Sequence, residues 1–431
     1  MSYELLRRWL LLTALIIFLT VYTVLIWDKF NRAVIALLGA SLVILLGVLN
    51  QEKAVEGIDF NTLGLLIGMM IIVTVCQKTG VFQYIAIKSM KLVKGEPWRV
   101  LVMLGCVTAI ISAFLDNVTT VLLIAPLTIL MAEEMQIDPY PFLFTEIFMS
   151  NIGGTATLIG DPPNIMIGSA AGLHFMDFVV NLAPAVLVVM IATFIPIYFM
   201  HGQKLKVDSD VREKIMQFNE RDALQDIPLL KKCLFVLAIV ISGFLFQRHL
   251  HLEAATIALF GAALLLLITG DELHSTLEKL EWTTVFFFAG LFIVIKGLEE
   301  TGVMKVLAQR LMEVTSGNIA VTGIAILWVS AVASAFVDNI PFVATMIPLI
   351  KEIGIQMGGH DAVTPLWWAL SLGACLGGNG TIIGASANVI VAGIAGRAGH
   401  HFKFVEFMKF AFPLMILSII ISTVYLYLRY F

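Results

Sequence analysis

Ser112-Ala-Phe-Leu-Asp-Asn117 occurs a second time in the chain, with one substitution, as Ser334-Ala-Phe-Val-Asp-Asn339. The two stretches lie 222 positions apart, since 334 − 112 = 222. Further matches follow in order at this offset or two residues beyond it: Thr79-Gly-Val81 with Thr301-Gly-Val303, Pro126 with Pro348, Gly153-Gly154 with Gly377-Gly378, and Asn164 with Asn388. Ordered matches that include polar residues are not expected by chance, so we interpret the chain as an internal duplication.

The composition indicates that this duplicated unit lies in a membrane. Of the 431 residues, 59% are hydrophobic and 13% are charged, which is about half the charged fraction of an ordinary soluble protein. A spanning helix needs roughly 20 apolar residues, and about ten windows approach that length. These features exclude a soluble enzyme and a protein with a single anchor helix. The absence of a basic tract excludes nucleic acid as a partner.

The duplication predicts a first repeat over residues 1–200, a linker over 201–228 and a second repeat over 229–431. In each repeat one apolar segment is interrupted by Asp-Asn, and the next apolar segment is interrupted by a glycine-rich stretch. We interpret the first interruption as the tip of a re-entrant hairpin and the second as a break in a helix. The predicted hairpins cover about 99–131 and about 319–350, and the predicted broken helices cover about 141–172 and about 363–396.

A re-entrant hairpin returns to the face from which it enters, so each repeat would cross the bilayer five times. The predicted fold is an all-α polytopic membrane protein with about 10 transmembrane helices, two of them broken, plus two re-entrant hairpins. An odd number of crossings makes the topology of the two repeats inverted. Lys and Arg accumulate in short cytoplasmic loops, so we place the basic linker in the cytoplasm. The first hairpin then enters from the cytoplasm and the second from the opposite face.

Two acidic residues occupy the same position in both predicted hairpin tips, Asp116 and Asp338. A carboxylate inside the bilayer costs at least about 2.5 kcal/mol, so such residues are usually functional. Each acid is expected either to exchange a proton or to cap a half-helix by accepting backbone N–H bonds, and the two roles are compatible. Glu146 lies inside a predicted helix, where it either relays protons or is a solvated side chain.

The glycine-rich stretches are expected to unwind the backbone and expose its polar groups to a wet cavity. The residues that we expect to unwind it are Gly153, Gly154, Gly160, Gly377, Gly378, Gly380 and Gly384. Small residues also allow helices to pack closely, which is the alternative role for these glycines. The polar residues predicted to bind substrate around the cavity are Asn117, Thr119, Asn151, Thr155, Thr157, Asp161, Asn164, Asn339, Asn379, Thr381, Ser386 and Asn388. Asp161 has no acidic counterpart in the second repeat, and either binds a cation or caps the half-helix that begins at Pro162.

The string Ser150-Asn-Ile-Gly-Gly-Thr-Ala-Thr-Leu-Ile-Gly-Asp-Pro-Pro-Asn164, together with the two Asp-Asn tips, resembles the ion transporter superfamily. Within it, the string is similar to the branch that holds arsenite/antimonite efflux pumps of the ArsB type and P-protein-like carriers. The resemblance covers nearly the whole chain. It implies a scaffold and a transport domain built from hairpins and broken helices, with alternating access to the site between them.

The resemblance and the two acids together predict a secondary active transporter in the cell (inner) membrane that exports arsenite or antimonite in exchange for protons. The expected partners are a small inorganic oxyacid, protons or sodium as coupling ion, the lipid bilayer and, by resemblance, a second copy of the chain or a separate ATPase subunit. No cofactor or metal site is expected, and the protein is not expected to be an enzyme. A sodium/proton antiporter is the main alternative, and an intramembrane aspartyl protease is a minor one.

Overall fold

The computed structural model describes residues 3–27, 29–205, 207, 219–270, 273–357, 359 and 361–431. Part of the predicted cytoplasmic linker, including Lys206, Arg212 and Lys214, lies outside the described residues. Within the described ranges the protein is entirely helical, without a β-strand. The predicted all-α class is therefore confirmed.

The helices of the first half are Tyr3–Trp27, Arg32–Leu45, Gln51–Glu56, Phe60–Gln77, Val81–Leu92, Pro97–Phe114, Asn117–Glu134, Tyr140–Thr155, Pro162–Ala171 and Phe175–Met200. Those of the second half are Ile227–Leu245, Gln247–Leu250, Ala254–Thr269, Leu273–Leu277, Trp282–Thr301, Val303–Val314, Ile319–Phe336, Asn339–Gln356, Thr364–Gly377, Ser386–Arg397 and Phe404–Tyr430. Short 3₁₀ turns occur at Gly202–Lys204, Glu220–Ala223, Asp361–Val363 and Gly378–Gly380.

The helices of the two halves recur at the spacing of the sequence repeat. Pro97–Phe114 corresponds to Ile319–Phe336, and Asn117–Glu134 corresponds to Asn339–Gln356, because the differences 319 − 97 and 339 − 117 both equal the offset of the repeat. We call the first pair of helices the first hairpin and the second pair the second hairpin. Tyr140–Thr155 with Pro162–Ala171 forms the first broken helix. Thr364–Gly377 with Ser386–Arg397 forms the second broken helix.

Nine of the described helices are long and apolar enough to cross a bilayer, and two shorter apolar helices, Arg32–Leu45 and Ala254–Thr269, accompany them. The chain is a multi-pass membrane protein. Each hairpin arm has 18 residues, or about 27 Å at 1.5 Å per residue, which is close to the thickness of the hydrocarbon core. The re-entrant path of the hairpins, the inverted topology and the boundaries of the repeats stay predictions.

The two halves pack together because a short apolar helix of each half lies against a long helix of the other half. Arg32–Leu45 of the first half packs against Trp282–Thr301, and Ala254–Thr269 of the second half packs against Phe60–Gln77. The second arm of each hairpin packs against the second half of the other repeat's broken helix. The tips of both hairpins are consequently brought to the interface between the repeats.

Close packing of each broken helix on its own hairpin requires glycine. A Cβ atom on Gly153 would lie 2.5 Å from the Cα atom of Ala109, and one on Gly377 would lie 2.6 Å from the Cα atom of Ala331. These distances are far shorter than van der Waals contact, and the neighbouring atoms belong to the backbone. The glycines at these positions therefore serve helix approach, the alternative role considered from the sequence.

Candidate functional site

The hairpin tips and the broken helices enclose a cavity of about 420 Å³ between the two repeats. Five of the residues predicted from the sequence line it: Asp116, Asn117, Asp161, Asn339 and Ser386. Its polar wall is completed by Glu281, which immediately precedes the helix Trp282–Thr301, and by Thr283 and Thr284 in the first turn of that helix. Among the residues that the structure describes, none of the side chains that line this cavity is Lys, Arg or His. We call it the central cavity.

Asp116 forms the first hairpin tip and caps the helix that follows it. Its Oδ1 atom accepts a hydrogen bond from the backbone N–H of Thr119 at 2.8 Å, and Oδ2 accepts one from the Thr119 hydroxyl. Asp116 therefore performs the capping role considered from the sequence. The same side chain also faces the central cavity, so capping does not remove it from the candidate site.

A chain of buried amides joins the first hairpin tip to both broken helices. Asn117 Nδ2 donates to Asn151 Oδ1 at 3.0 Å. Asn151 Nδ2 in turn donates to Asn379 Oδ1 and to Asn388 Oδ1, each at 2.9 Å. Because Asn151, Asn379 and Asn388 are fully buried, this chain fixes the relative position of the elements that form the cavity.

Other predicted polar residues hold the unwound backbone together and do not line the cavity. Asn164 Nδ2 donates to the carbonyl oxygens of Thr155 and Thr157, at 3.1 and 2.9 Å. Asn388 Nδ2 likewise donates to the carbonyl oxygens of Gly378 and Thr381, at 2.7 and 2.9 Å. The hydroxyls of Thr157 and Thr381 donate to carbonyl oxygens on the first arms of their own hairpins, those of Ala113 and Ala335. These bonds satisfy carbonyls at the breaks and at the ends of the first hairpin arms.

The two halves of the site differ chemically at Asp161. Asn339 Nδ2 lies 3.3 Å from both carboxylate oxygens of Asp161, so the second hairpin tip donates to the first broken helix. Ala385 holds the corresponding position in the second repeat. Asp161 makes no side-chain cap to the helix that begins at Pro162, which removes the capping role considered for it from the sequence. Asp161 is a fully buried carboxylate on the cavity wall.

Asp338, the acid of the second tip, faces away from the central cavity towards Arg32. Its Oδ2 atom lies 2.6 Å from Arg32 Nη1 and accepts a hydrogen bond from Ser386 Oγ at 2.7 Å. Its Oδ1 atom accepts from the backbone N–H of Ile340 at 3.1 Å, so Asp338 also caps its helix. Arg32 was not among the residues selected from the sequence, because an arginine at the start of an apolar helix ordinarily lies at the membrane surface.

Glu146 is buried, but it does not line the central cavity. One of its carboxylate oxygens accepts a hydrogen bond from the Thr128 hydroxyl, and the other has no partner in the described part of the chain. The solvated alternative that the sequence left open is therefore excluded. A proton-relay role for Glu146 stays a prediction.

Glu281 lines the central cavity and was missed by the sequence analysis. It immediately precedes the span Trp282–Thr301, where an acid ordinarily belongs to a solvated loop. Burial raises the pKa of Glu281 to about 7, and the negative charge of Asp116 acts in the same direction. The repeat offered a signal, because Glu281 stands at the position that corresponds to Asp59, which caps the equivalent helix of the first half.

The arrangement can exchange protons and can bind small polar solutes. No group of three or more His, Cys, Asp or Glu side chains in the described ranges is placed to hold a metal ion. The cavity combines carboxylates, which exchange protons, with neutral amides and hydroxyls, which donate and accept hydrogen bonds.

Comparison with known proteins places this chain in a family. The model of the CitMHS family, described as citrate transporter, matches residues 22–373. The chain belongs to this family. It is 44% identical over 422 residues to an uncharacterized transporter of Mycobacterium tuberculosis, covering 97% of this chain and 98% of that one. It is 34% identical over 490 residues to the human P protein, covering 94% of this chain and 58% of that one.

The fold of this CitMHS member is similar to a solved transporter structure. The YdaH transporter of Alcanivorax borkumensis superposes with a TM-score of 0.55 at 13% identity, covering 94% of this chain and 97% of that one. The chain is thus a membrane transporter, and the predicted likeness to P-protein-like carriers is confirmed. The specificity expected from the arsenite pumps stays a prediction.

Proposed function

We propose that this transporter is a proton-coupled secondary carrier that exports arsenite or antimonite. The observation that supports the proposal is the charge of the central cavity. Asp116, Asp161 and Glu281 line it, while no cationic side chain among the described residues does so. Such a cavity favours protons, cations and neutral hydrogen-bonding solutes over multiply charged anions.

Arsenite meets these requirements because it is a neutral trihydroxy acid at neutral pH. Its hydroxyl groups would find acceptors in the carboxylates and both donors and acceptors in Asn117, Asn339 and Ser386. The proton gradient would drive export if a cavity carboxylate binds a proton on one face of the membrane and releases it on the other. Asp116 is the first candidate for this group, since it lies at a hairpin tip and lines the cavity.

Citrate and sodium are the two other candidate cargoes, and the charge of the central cavity affects each of them differently. Citrate, which the family description names, carries several negative charges at neutral pH and would face three carboxylates. Sodium in exchange for protons is the second candidate function, because those carboxylates would attract a cation. Membership of a transporter family favours both of these functions over the intramembrane protease. A homodimer and a separate ATPase subunit stay predictions from the resemblance.

The test is uptake into everted membrane vesicles that carry the protein, measured without ATP and with a proton gradient imposed across the membrane. We expect gradient-dependent accumulation of arsenite that falls to the level of protein-free vesicles in Asp116→Asn. Glu313→Gln, which changes an exposed acid paired with Arg310, is the control variant and should transport normally. Citrate and sodium are offered in parallel.

Two results would overturn the arsenite proposal. Citrate uptake in the absence of arsenite uptake would show that the acidic cavity does not exclude anions. Proton movement on addition of sodium, again in the absence of arsenite uptake, would assign the protein to cation/proton exchange. Arsenite uptake that proceeds unchanged in Asp116→Asn would retain the cargo but remove Asp116 from coupling.

A further inference from the structure

An ion pair between the two repeats distinguishes the second hairpin tip from the first. Arg32 begins the helix Arg32–Leu45 and contacts Asp338 Oδ2 through Nη1 at 2.6 Å. The same Nη1 atom donates to Ser386 Oγ at 3.1 Å, and Ser386 Oγ donates to Asp338 Oδ2 at 2.7 Å. Asp338 is thus held by a guanidinium and a hydroxyl from two different elements.

The first tip lacks both of these groups at the corresponding positions. Ala254 stands where Arg32 stands, since 254 − 32 = 222, and it likewise begins an apolar helix. Pro162 stands where Ser386 stands, at the offset of 224 that relates the broken helices. The described side-chain contacts of Asp116 are with the backbone N–H and hydroxyl of Thr119, and both are neutral donors.

A second contact joins the second hairpin to the N-terminal helix Tyr3–Trp27. The Tyr22 hydroxyl donates to the carbonyl oxygen of Pro341 at 2.6 Å, and it lies 2.6 Å from Thr345 Oγ1. Phe244, which stands at the position of Tyr22 in the second repeat, has no hydroxyl with which to repeat this contact. The difference between the tips therefore extends beyond a single side chain.

The charged and titratable groups around the two acids differ as well. In the described part of the chain, Asp338 faces Arg32, with Tyr22 nearby and Asp161 reached through the Asn339 amide. Beside Asp338 is a small space of about 20 Å³ whose other lining residues, apart from Arg32, are apolar. Asp116 instead shares the central cavity with two acids, Asp161 and Glu281.

We propose that Arg32 assigns different roles to the two tip acids: Asp338 stays ionised as the counter-ion of Arg32, and Asp116 is the tip acid that exchanges the proton. A carboxylate in contact with a guanidinium is stabilised in its charged form, because the positive charge and the charge-assisted hydrogen bond both favour the carboxylate over the neutral acid. A carboxylate that shares a cavity with other acids is under the opposite influence and accepts a proton more readily. The role of Asp116 in coupling rests on the proposed function, whereas the protonation states can be tested without any cargo.

The experiment counts protonated tip carboxyls by infrared difference spectroscopy of the purified protein in lipid nanodiscs. The C=O stretch of a protonated carboxyl is followed while the pH is lowered from alkaline to mildly acidic values. Asp116→Asn should remove one band from the spectrum of the original protein, and Asp338→Asn should remove none. Arg32→Gln should add one band, and that band should disappear in the double variant Arg32→Gln with Asp338→Asn.

Two further variants separate charge from structural damage. Arg32→Lys retains a cation near Asp338, so the added band should be absent, although the planar guanidinium is lost. Ala254→Arg places a cation at the mirrored position, and it should suppress the Asp116 band. Loss of a band in Asp338→Asn alone would overturn the proposal, as would an unchanged spectrum in Arg32→Gln.

A transport measurement distinguishes failure of this proposal from failure of the proposed function. Arsenite uptake into proteoliposomes is measured together with proton movement in the original protein and in Arg32→Gln. In Arg32→Gln both tip acids, Asp116 and Asp338, should bind protons, so the number of protons moved per arsenite should differ from that of the original protein. If arsenite is not transported but the infrared pattern is obtained, the proposed cargo is wrong and the division of roles between the acids stands.

Discussion

Replacing Asn151 with alanine tests whether the buried amide chain holds the site together. Asn151 accepts from Asn117 at 3.0 Å and donates to Asn379 and Asn388 at 2.9 Å each. The substitution deletes all three hydrogen bonds and leaves three buried amide groups without these partners. We therefore expect a lower free energy of unfolding and a less rigid central cavity.

The size of the loss follows from the number of bonds. Side-chain hydrogen bonds between transmembrane helices contribute about 0.6 kcal/mol each on average, so three of them contribute about 2 kcal/mol. At the lower end of the cost of an unsatisfied buried polar group, about 1 kcal/mol each, the loss is about 3 kcal/mol. We expect Asn151→Ala to lower the free energy of unfolding by about 2 to 3 kcal/mol beyond the loss of side-chain packing.

Cys375→Ala provides the matched control for packing. Cys375 stands at the position of Asn151 in the second broken helix, since 375 − 151 = 224, and it is also fully buried. Its sulfur lies 3.7 Å from Asn164 Oδ1, and that oxygen retains the hydrogen bond from Ser371 at 2.6 Å. Removing the sulfur should cost about 1 kcal/mol, which combines lost packing with the loss of weak thiol contacts to Asn164 and Asp161.

The assay is reversible unfolding of the purified proteins in mixed micelles, with tryptophan fluorescence as the signal. Asn151→Ala should be less stable than Cys375→Ala by about 2 kcal/mol. Equal losses in the two variants would refute the reasoning, because the amide chain would then contribute nothing beyond the volume of its side chains.

Two further predictions concern helix packing and the hydrogen bonds of Ser169 in the first broken helix. Gly153→Ala would place a Cβ atom 2.5 Å from the Cα atom of Ala109, and we expect a loss of about 1–3 kcal/mol in the free energy of unfolding. Gly393→Ala, which meets no atom closer than 3.9 Å, is its control, and a similar loss in both variants would contradict the packing argument. Ser169→Ala removes the 2.9 Å hydrogen bond from Ser169 Oγ to Asp59 Oδ1 and the 3.2 Å hydrogen bond that Ser169 Oγ accepts from Asn61 Nδ2. It should lower the same free energy by about 1 to 2 kcal/mol. No change in its unfolding curve would show that these bonds are replaced by water.

Several features of the fold could be predicted because their causes are local. An Asp-Asn step between two apolar stretches ends one helix and caps the next, and Asp116 and Asp338 both do so in the structure. Pro162-Pro163 cannot continue the preceding helix, because proline lacks a backbone N–H and clashes with the preceding turn, so a break between Thr155 and Pro162 follows from the backbone itself. Because the sequence is repeated, the same features could be predicted for the second half.

The sorting of the polar residues could not be predicted from their types. Asn117 and Asn164 look alike in the sequence, but the first lines the cavity and the second binds the carbonyls of Thr155 and Thr157. Whether an asparagine lines the cavity or binds backbone carbonyls depends on the direction in which the unwound backbone turns. That direction is set by packing between helices and leaves no trace in hydrophobic periodicity.

By itself the sequence determined the membrane class, the internal repeat and the position of the tip acids, because apolar length, helix breaks and caps depend on neighbouring residues. Only the tertiary structure decided the surroundings of those acids. Arg32 and Asp338 lie far apart in the chain and meet because a helix of the first repeat packs on the second. The interaction between two charges depends on their distance in space and not on their separation in the sequence, so the Arg32–Asp338 ion pair is visible only in the packed structure.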